Sequence, residues 1–264
     1  MWNAETARHL HDWYATPEGT YAIAQENRLF QQLISQWPRR GHTLLDIGCG
    51  AGIFLEMLWH YGFDVTGLDT GAELLDMARE RLGNRAEFQL GQPEHLPFDD
   101  NQFDYVALLT VLEYVENPEQ VLREAIRVSY RGVIVGFMNA CSLYQIQRML
   151  HRPSLEFRHR AHNMTLWKLA RMVRRLCPEG TIHARSVLLG PPPTWKRKGV
   201  WERINSFQTS LPFGGYLGAC IDTQPRVPMT PLLLRAKERA LNLCSGLQPE
   251  ANREAASRSQ ETPL

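Results

Sequence analysis

The chain has 264 residues, of which 44% are hydrophobic and 22% charged, with a net charge of +1. This suits one α/β domain of ordinary size plus embellishments. It excludes a membrane-spanning chain, because no apolar run reaches roughly eighteen residues, and Met1–Glu5 lacks the basic start and apolar stretch of a signal peptide. Five cysteines, at 49, 141, 177, 220 and 244, are odd in number and lack a C-x-x-C spacing, so no metal site is expected and reduced thiols in a cytoplasmic protein are.

Residues 1–40 read as partly amphipathic helix with a break at Thr16-Pro17-Glu18-Gly19. From Thr43 to Met138 short apolar runs alternate with helical stretches, the pattern of a parallel sheet with crossover helices. The first run, Leu44-Leu45-Asp46-Ile47, leads into glycine at 48, 50 and 52 and then a helix. A turn without Cβ atoms lets backbone approach a ligand closely, and a helix start adds unpaired N–H groups. The dinucleotide fingerprint G-x-G-x-x-G would need glycine at 53, where Ile53 stands, and no G-K-[ST] follows as in a phosphate-cradling loop.

Phe63–Leu68 predicts a second strand with Asp69 at its tip, 23 residues after Asp46. There an acid can accept from both hydroxyls of a ribose. Alternatively it caps the helix expected over Ala72–Leu82, a role that Thr70 could fill instead. Gly132–Met138 reads as the fifth strand. Thr165–Cys177 reads as a helix, since Leu166, Leu169, Met172, Val173 and Leu176 recur at helical spacing, with Pro178-Glu179-Gly180 ending it. Two final strands are expected at about 181–189 and 215–222. Between them Pro191-Pro192-Pro193 opens a loop to Gly215 that is too long for a simple turn. Pro231–Leu243 reads as a terminal helix and Gln248–Leu264 as a disordered polar tail.

Four motifs in order carry a resemblance. They are Asp46-x-Gly48-x-Gly50-x-Gly52; Asp69; Gly91-Gln92-Pro93-Glu94-His95-Leu96-Pro97-Phe98 with Phe103-Asp104-Tyr105-Val106; and Leu112-Glu113-Tyr114-Val115-Glu116-Asn117-Pro118. The series resembles the class I S-adenosylmethionine-dependent methyltransferases, in particular the type 11 (ubiquinone/menaquinone-methyltransferase-like) subgroup, over about residues 40–140. The resemblance implies a Rossmann-like, doubly wound seven-stranded sheet, mostly parallel with a C-terminal antiparallel hairpin. It implies S-adenosyl-L-methionine as cofactor and S-adenosyl-L-homocysteine as product. By position, Asp46, Gly48, Cys49, Gly50 and Gly52 would surround the methionine end, Asp69 and Thr70 the ribose, and Gln92 and Pro93 the adenine. Leu109 and Thr110 would line the pocket. Two positions depart from the subgroup: Gln92 replaces an acid and Tyr114 a histidine. The Gln92 carbonyl can still accept from an adenine amino group, and Cys49 is expected to pack as a small apolar residue.

The segment His11-Asp12-Trp13-Tyr14-Ala15-Thr16-Pro17-Glu18-Gly19-Thr20-Tyr21, with Glu26 beyond, is similar to the opening of many type 11 relatives. Tyr14 and Tyr21 are candidates for a lid over a sulfonium, since a ring face attracts a cation. The alternative is that Trp13 and Tyr14 pack the helix onto the sheet edge. No catalytic motif is visible and no catalytic residue is assigned, although His11, Tyr14, Tyr21 and Asn139 could stand near an acceptor.

Charge is divided unevenly. Residues 1–130 carry a net −11 and residues 131–264 a net +12, with basic clusters at Arg148–Arg175 and Lys196-Arg197-Lys198. The expected organisation is a helical lid segment at 1–40 and a methyltransferase domain at 41–225. Within that domain fall a substrate-side insertion at about 139–163 and a long loop at about 190–214. A helix at 226–247 and a tail at 248–264 follow. The expected function is methyl transfer to a small-molecule or lipid-like acceptor, anionic if the basic insertion contacts it. Two alternatives stay open: a nucleic-acid methyltransferase using the basic 148–198 region, weakened by the lack of an N-P-P-Y-type tetrad, and a non-catalytic cofactor-binding partner protein.

Overall fold

The structure, a computed structural model, describes residues 13–143, 145, 163–196 and 199–224. The elements in chain order are α1 (Pro17–Leu33), β1 (Thr43–Ile47), α2 (Ile53–His60), β2 (Asp64–Asp69), α3 (Ala72–Leu82), β3 (Ala86–Leu90) and β4 (Phe103–Leu109). There follow α4 (Pro118–Val128), β5 (Ser129–Met138), α5 (Leu166–Leu176), β6 (Thr181–Val187), α6 (Val200–Ser206) and β7 (Tyr216–Asp222). The strands form one seven-stranded sheet in the order β3-β2-β1-β4-β5-β7-β6. β3, β2, β1, β4 and β5 pair in parallel, and β7 inserts antiparallel to both β5 and β6. The expected mixed sheet with its closing hairpin is therefore present.

Alternation along the strands sorts the core into two layers, because successive side chains of a strand point to opposite faces. Leu44, Tyr105, Ala107 and Ile134 pack with Phe30 of α1 and Leu55 of α2. Leu45, Ile47, Val106, Leu108, Val133 and Val135 pack on the other face with Val121 and Leu122 of α4 and Leu169 and Val173 of α5. Both faces of the central strands are covered, which is what a parallel sheet requires.

Local chemistry explains the boundaries. The break expected at Thr16–Gly19 is a helix start: Thr16 Oγ1 accepts from the Gly19 N–H at 3.1 Å and Pro17 takes the first helical position. Thr165 caps α5 in the same way, so that helix runs Leu166–Leu176 inside the expected Thr165–Cys177. β5 begins at Ser129 rather than Gly132, because a register shift between Phe103 and Tyr105 lets Ser129 pair with Phe103. β6 stops at Val187 rather than 189, where Leu188 takes a positive φ of 61°. The loop 191–215 holds a 3-10 turn at Pro192–Thr194 and the short helix α6. Most of the expected insertion at 139–163, the helix at Pro231–Leu243 and the tail at 248–264 lie outside the described residues. Among the described residues no helix is long and apolar enough to cross a membrane.

Candidate cofactor and acceptor site

The sheet order reverses between β1 and β4: the chain leaves β1 toward β2 on one side and returns to β4 on the other. A crevice opens beyond the C-terminal strand ends at such a point, and there the predicted residues gather. The Gly48 and Cys49 N–H groups both donate to the Leu68 carbonyl, at 2.7 and 3.1 Å, tying the glycine turn to the end of β2. Gly48 has φ 73°, and a Cβ there would lie 2.7 Å from Val111 Cγ2, so the turn presses directly on the segment after β4. Gly50 also has a positive φ, yet a Cβ there would meet nothing within 4 Å. The backbone at Gly50 thus faces open space, the cradle that a ligand can occupy. Gly52 caps α2 in the left-handed conformation without a side-chain hydrogen bond.

Asp69 knits the rim. Its Oδ2 accepts from the Gly50 N–H and its Oδ1 from the Gly71 N–H, both at 2.9 Å. Burial pushes its carboxyl pKa up while these backbone donors pull it back. With the Thr70 N–H as a third backbone donor, the carboxylate still has acceptor capacity for a hydroxyl. Thr70 does not cap α3 as the sequence suggested: Gly71 is the cap and Thr70 is exposed. The Asp69 carbonyl accepts from Gly91 N–H at 3.1 Å, which places exposed Gln92 and buried Pro93 beside the β2 tip. The Leu96–Phe98 stretch is pinned from below, where Glu124 accepts from the Leu96 N–H and Arg127 donates to the Phe98 carbonyl.

Beneath the turn, Asp46 is buried with Oδ2 lacking a partner among the described residues. Burial first, and the Asp69 charge second, push its pKa well above the carboxylate range. Cys49 is buried against Gly67, packing as the small apolar residue expected, with its thiol pKa pushed up by burial and by the two acids.

A second cluster adjoins the turn on the side of Val111. Leu109 is buried, and Thr110 turns the chain with φ 60°, its hydroxyl 3.2 Å from that of Tyr216. Glu113, two residues beyond Val111, accepts from the Met138 N–H at 3.2 Å through Oε1, while its Oε2 is buried without a partner. Glu26 of α1 is equally buried, and its Oε2 is also unpartnered. Burial, and then the Glu113 charge, push Glu26 up to about 8; burial pushes Glu113 up to about 7. Edge-on ring contacts link the cluster to α2: Tyr14 to Phe54 at 6.3 Å, Phe54 to Phe30 at 6.1 Å, and Phe30 to Tyr216 at 5.9 Å. Burial raises the Tyr14 and Tyr216 pKa values first, with Glu26 the next cause for each. Two carboxyl groups in so dry a place cannot both carry charge cheaply, so burial favours their protonated forms.

Other predicted residues are engaged elsewhere. Tyr21 is buried and its hydroxyl donates to the Glu202 carbonyl at 3.2 Å. The Asn139 amide donates to the Pro212 and Gly214 carbonyls at 2.8 and 3.0 Å. Trp13 packs edge-on against buried Trp195 of the loop after β6, rather than onto a sheet edge. His11 lies outside the described residues. The sequence reading quoted Glu113 within a motif without assigning it to the site, and it missed Tyr216 altogether.

Known proteins resemble the chain in sequence and in fold. Residues 45–136 match the family described as methyltransferase domain. A ubiquinone biosynthesis O-methyltransferase from Aeromonas salmonicida is 41% identical over 87 residues, 31% of this chain and 37% of that protein. The chain spans about half, or less, of the length of the curated relatives it matches. Among solved structures, an S-adenosylmethionine-dependent methyltransferase from Thermotoga maritima superposes with a TM-score of 0.64 at 18% identity, covering 83% of this chain and 97% of that one. A magnesium protoporphyrin IX methyltransferase from Synechocystis, solved with S-adenosylhomocysteine bound, gives 0.61 at 15%, covering 84% and 96%. At these identities the structural likeness speaks for the fold.

Proposed function

We propose, from the premise that residues 45–136 are a class I methyltransferase domain of the type 11 kind, that this chain transfers a methyl group from S-adenosylmethionine to a small-molecule or lipid-like acceptor. The observation that carries the reading is the Gly48–Gly52 turn facing open space at Gly50 and tied to Asp69 at the strand-order reversal. The residues fit the cofactor. Asp46 holds an unpartnered carboxyl oxygen able to meet a cation or a donor, Asp69 keeps lone pairs for ribose hydroxyls, and Gln92 stands exposed at the rim for adenine.

When bound, the cofactor supplies a methyl group already activated on a sulfonium, so the protein's task is mainly alignment and exclusion of water. Tyr14, beside Phe54, closes that side in this reading, whereas Tyr21 serves packing. The Glu26–Glu113 pair is the proton acceptor. In this reading an acceptor that displaces the side chains covering either buried Oε2 gives up its O–H or N–H proton there, and carboxyl pKa values of about 7 and about 8 suit such transfer near neutral pH. Curated relatives named ubiquinone biosynthesis O-methyltransferase and ajmaline N-methyltransferase support a small acceptor.

The test is transfer of a labelled methyl group from S-adenosylmethionine into fractionated extract, followed by identification of the labelled compound. Label in a small organic compound, lost in Glu113→Gln while cofactor binding persists, is the expected result. Label confined to nucleic acid or protein overturns the reading.

A further inference from the structure

The buried polar atoms left unmet on α1 and after β4 are all acceptors. Glu26 Oε2 and Glu113 Oε2 have no partner among the described residues, and neither does Gln25 Oε1 beside Glu26. Both glutamates are only 3% exposed. None of the ion pairs found among the described residues includes either of them. Arg28, two residues past Glu26, is exposed; with Arg185 and Arg203 it lines an outer groove of about 950 Å³ between α1, β6 and α6. What the buried acids lack is therefore hydrogen-bond donors and positive charge.

Packing brings the two acids to one place. The chain of α1 runs antiparallel to β5: a Cβ at Gly132 would lie 3.2 Å from Trp37, past the helix end, and one at Gly136 would lie 2.7 Å from Phe30 Cζ. Glu26 stands one turn before Phe30 on the same helix face, about 6 Å further along. Met138 stands two residues past Gly136, about 6–7 Å further along β5. Glu26 is thus level with Met138, whose N–H Glu113 accepts. Tyr216 pairs with Met138 in register, bonds Thr110 through its hydroxyl and meets Phe30 edge-on, so aromatic rings stand beside the acids. The glycine turn is adjacent, since Gly48 presses on Val111, two residues before Glu113.

We propose that the methyl acceptor is an amine, which enters as an ammonium and is held by Glu26 and Glu113. This rests on the methyl-transfer reading and narrows its acceptor. An ammonium with two or more N–H groups carries donors only, enough for both unmet Oε2 atoms, and brings the charge that two buried acids need. A ring face also attracts a cation. A hydroxyl has a single proton, so one acid would stay unmet. The oxyanion formed at transfer would moreover stand beside carboxyl groups, where it needs donors. In the step itself, the ammonium passes one N–H proton to a carboxylate. The freed lone pair forms the C–N bond while the C–S bond breaks and its electrons stay on sulfur. S-adenosylhomocysteine leaves, and the methylated nitrogen keeps its positive charge beside the other carboxylate. Access requires the side chains over the acids to move, and half-buried Tyr14, which precedes the Thr16 cap and feels both charges, belongs to that cover.

The full chain is supplied with S-adenosylmethionine carrying an isotope-labelled methyl carbon and with fractionated extract, and the carbon shift of the product reads the atom that the methyl joins. A methyl on nitrogen is expected, in a small compound that enters organic solvent from base and returns to dilute acid. Methyl on oxygen, carbon or sulfur overturns this inference and leaves the transfer reading standing. No labelled compound, or label confined to nucleic acid or protein, overturns both. Glu26→Gln/Glu113→Gln keeps the shape of the pair and removes its charge. It should lower transfer with the active fraction by about a hundredfold or more and leave S-adenosylhomocysteine affinity, read by calorimetry, unchanged. Equal transfer overturns the assignment to these acids. A matching loss of S-adenosylhomocysteine affinity gives them to the cofactor's own ammonium and overturns it too. A melting temperature no lower than that of the natural chain establishes that the variant folds; if it falls, Glu26→Gln alone carries the same comparison.

Discussion

At the β1–β4 end of the sheet the chain presents glycines, buried acids and hydrogen bonds that close on one another; along α1, β6 and α6 it presents exposed arginines and exposed apolar side chains. The first region is acidic and dry, the second basic and wet, and a net charge of +1 conceals the contrast. The lesson concerns what burial fixes. The glycine turn, which we propose holds the cofactor, is tied by backbone hydrogen bonds, so the groups near it have fixed positions. The arginines of the groove are exposed, so their side chains stay free to adapt. Burial makes a few groups decisive in the first region.

Breaking the closed region should cost most. Gly48→Ala sets a Cβ against Val111 at a positive φ, and should destabilise the fold by about 2–3 kcal/mol and remove cofactor binding, as read by thermal melting and calorimetry. Glu26→Gln sharpens the contrast through pH. The Glu26 carboxyl stands near 8 in the fold, above its value in the unfolded chain. A raised value means the native state favours the proton, so this contribution is fully present below the ordinary carboxylate range and is lost as pH rises through about 8. The variant should therefore gain about 2–3 kcal/mol relative to the natural chain at pH ~9 and little at pH ~4, as followed by denaturant melts; parallel pH profiles would remove the buried acid from the account. Asp69→Ala should weaken S-adenosylhomocysteine binding by roughly 1–3 kcal/mol, and unchanged affinity would take Asp69 out of the site. Smallest is Tyr21→Phe, which removes one hydrogen bond to the Glu202 carbonyl: about 0.5–1 kcal/mol of stability with cofactor affinity intact. A fall in affinity would restore Tyr21 to the lid.

The same contrast governs what could be read from the chain. Asp46, the three glycines and Asp69 are legible because a strand, a turn and a helix start set their spacing locally. Thr16-Pro17 was equally legible as a capped helix start, yet its proline reads as a break until the hydrogen bond to Gly19 is seen. Helix α6 escapes because its seven residues follow Gly199, which offers no side-chain cap. Glu113 sits in a visible motif, but its electrostatic influence on Glu26 depends on how α1 packs on the sheet. Tyr216 joins Thr110 only because β7 inserts between β5 and β6. Such contacts are tertiary, and no local pattern encodes them. The arginine groove is of this kind, since its three cations come from α1, β6 and α6.

The most direct test of the central claim is calorimetric titration of the full chain with S-adenosylmethionine, S-adenosylhomocysteine and NAD. Saturable binding of the first two, weakened by Asp69→Ala, is the predicted result. Binding of NAD with no heat from either sulfur nucleoside would contradict it.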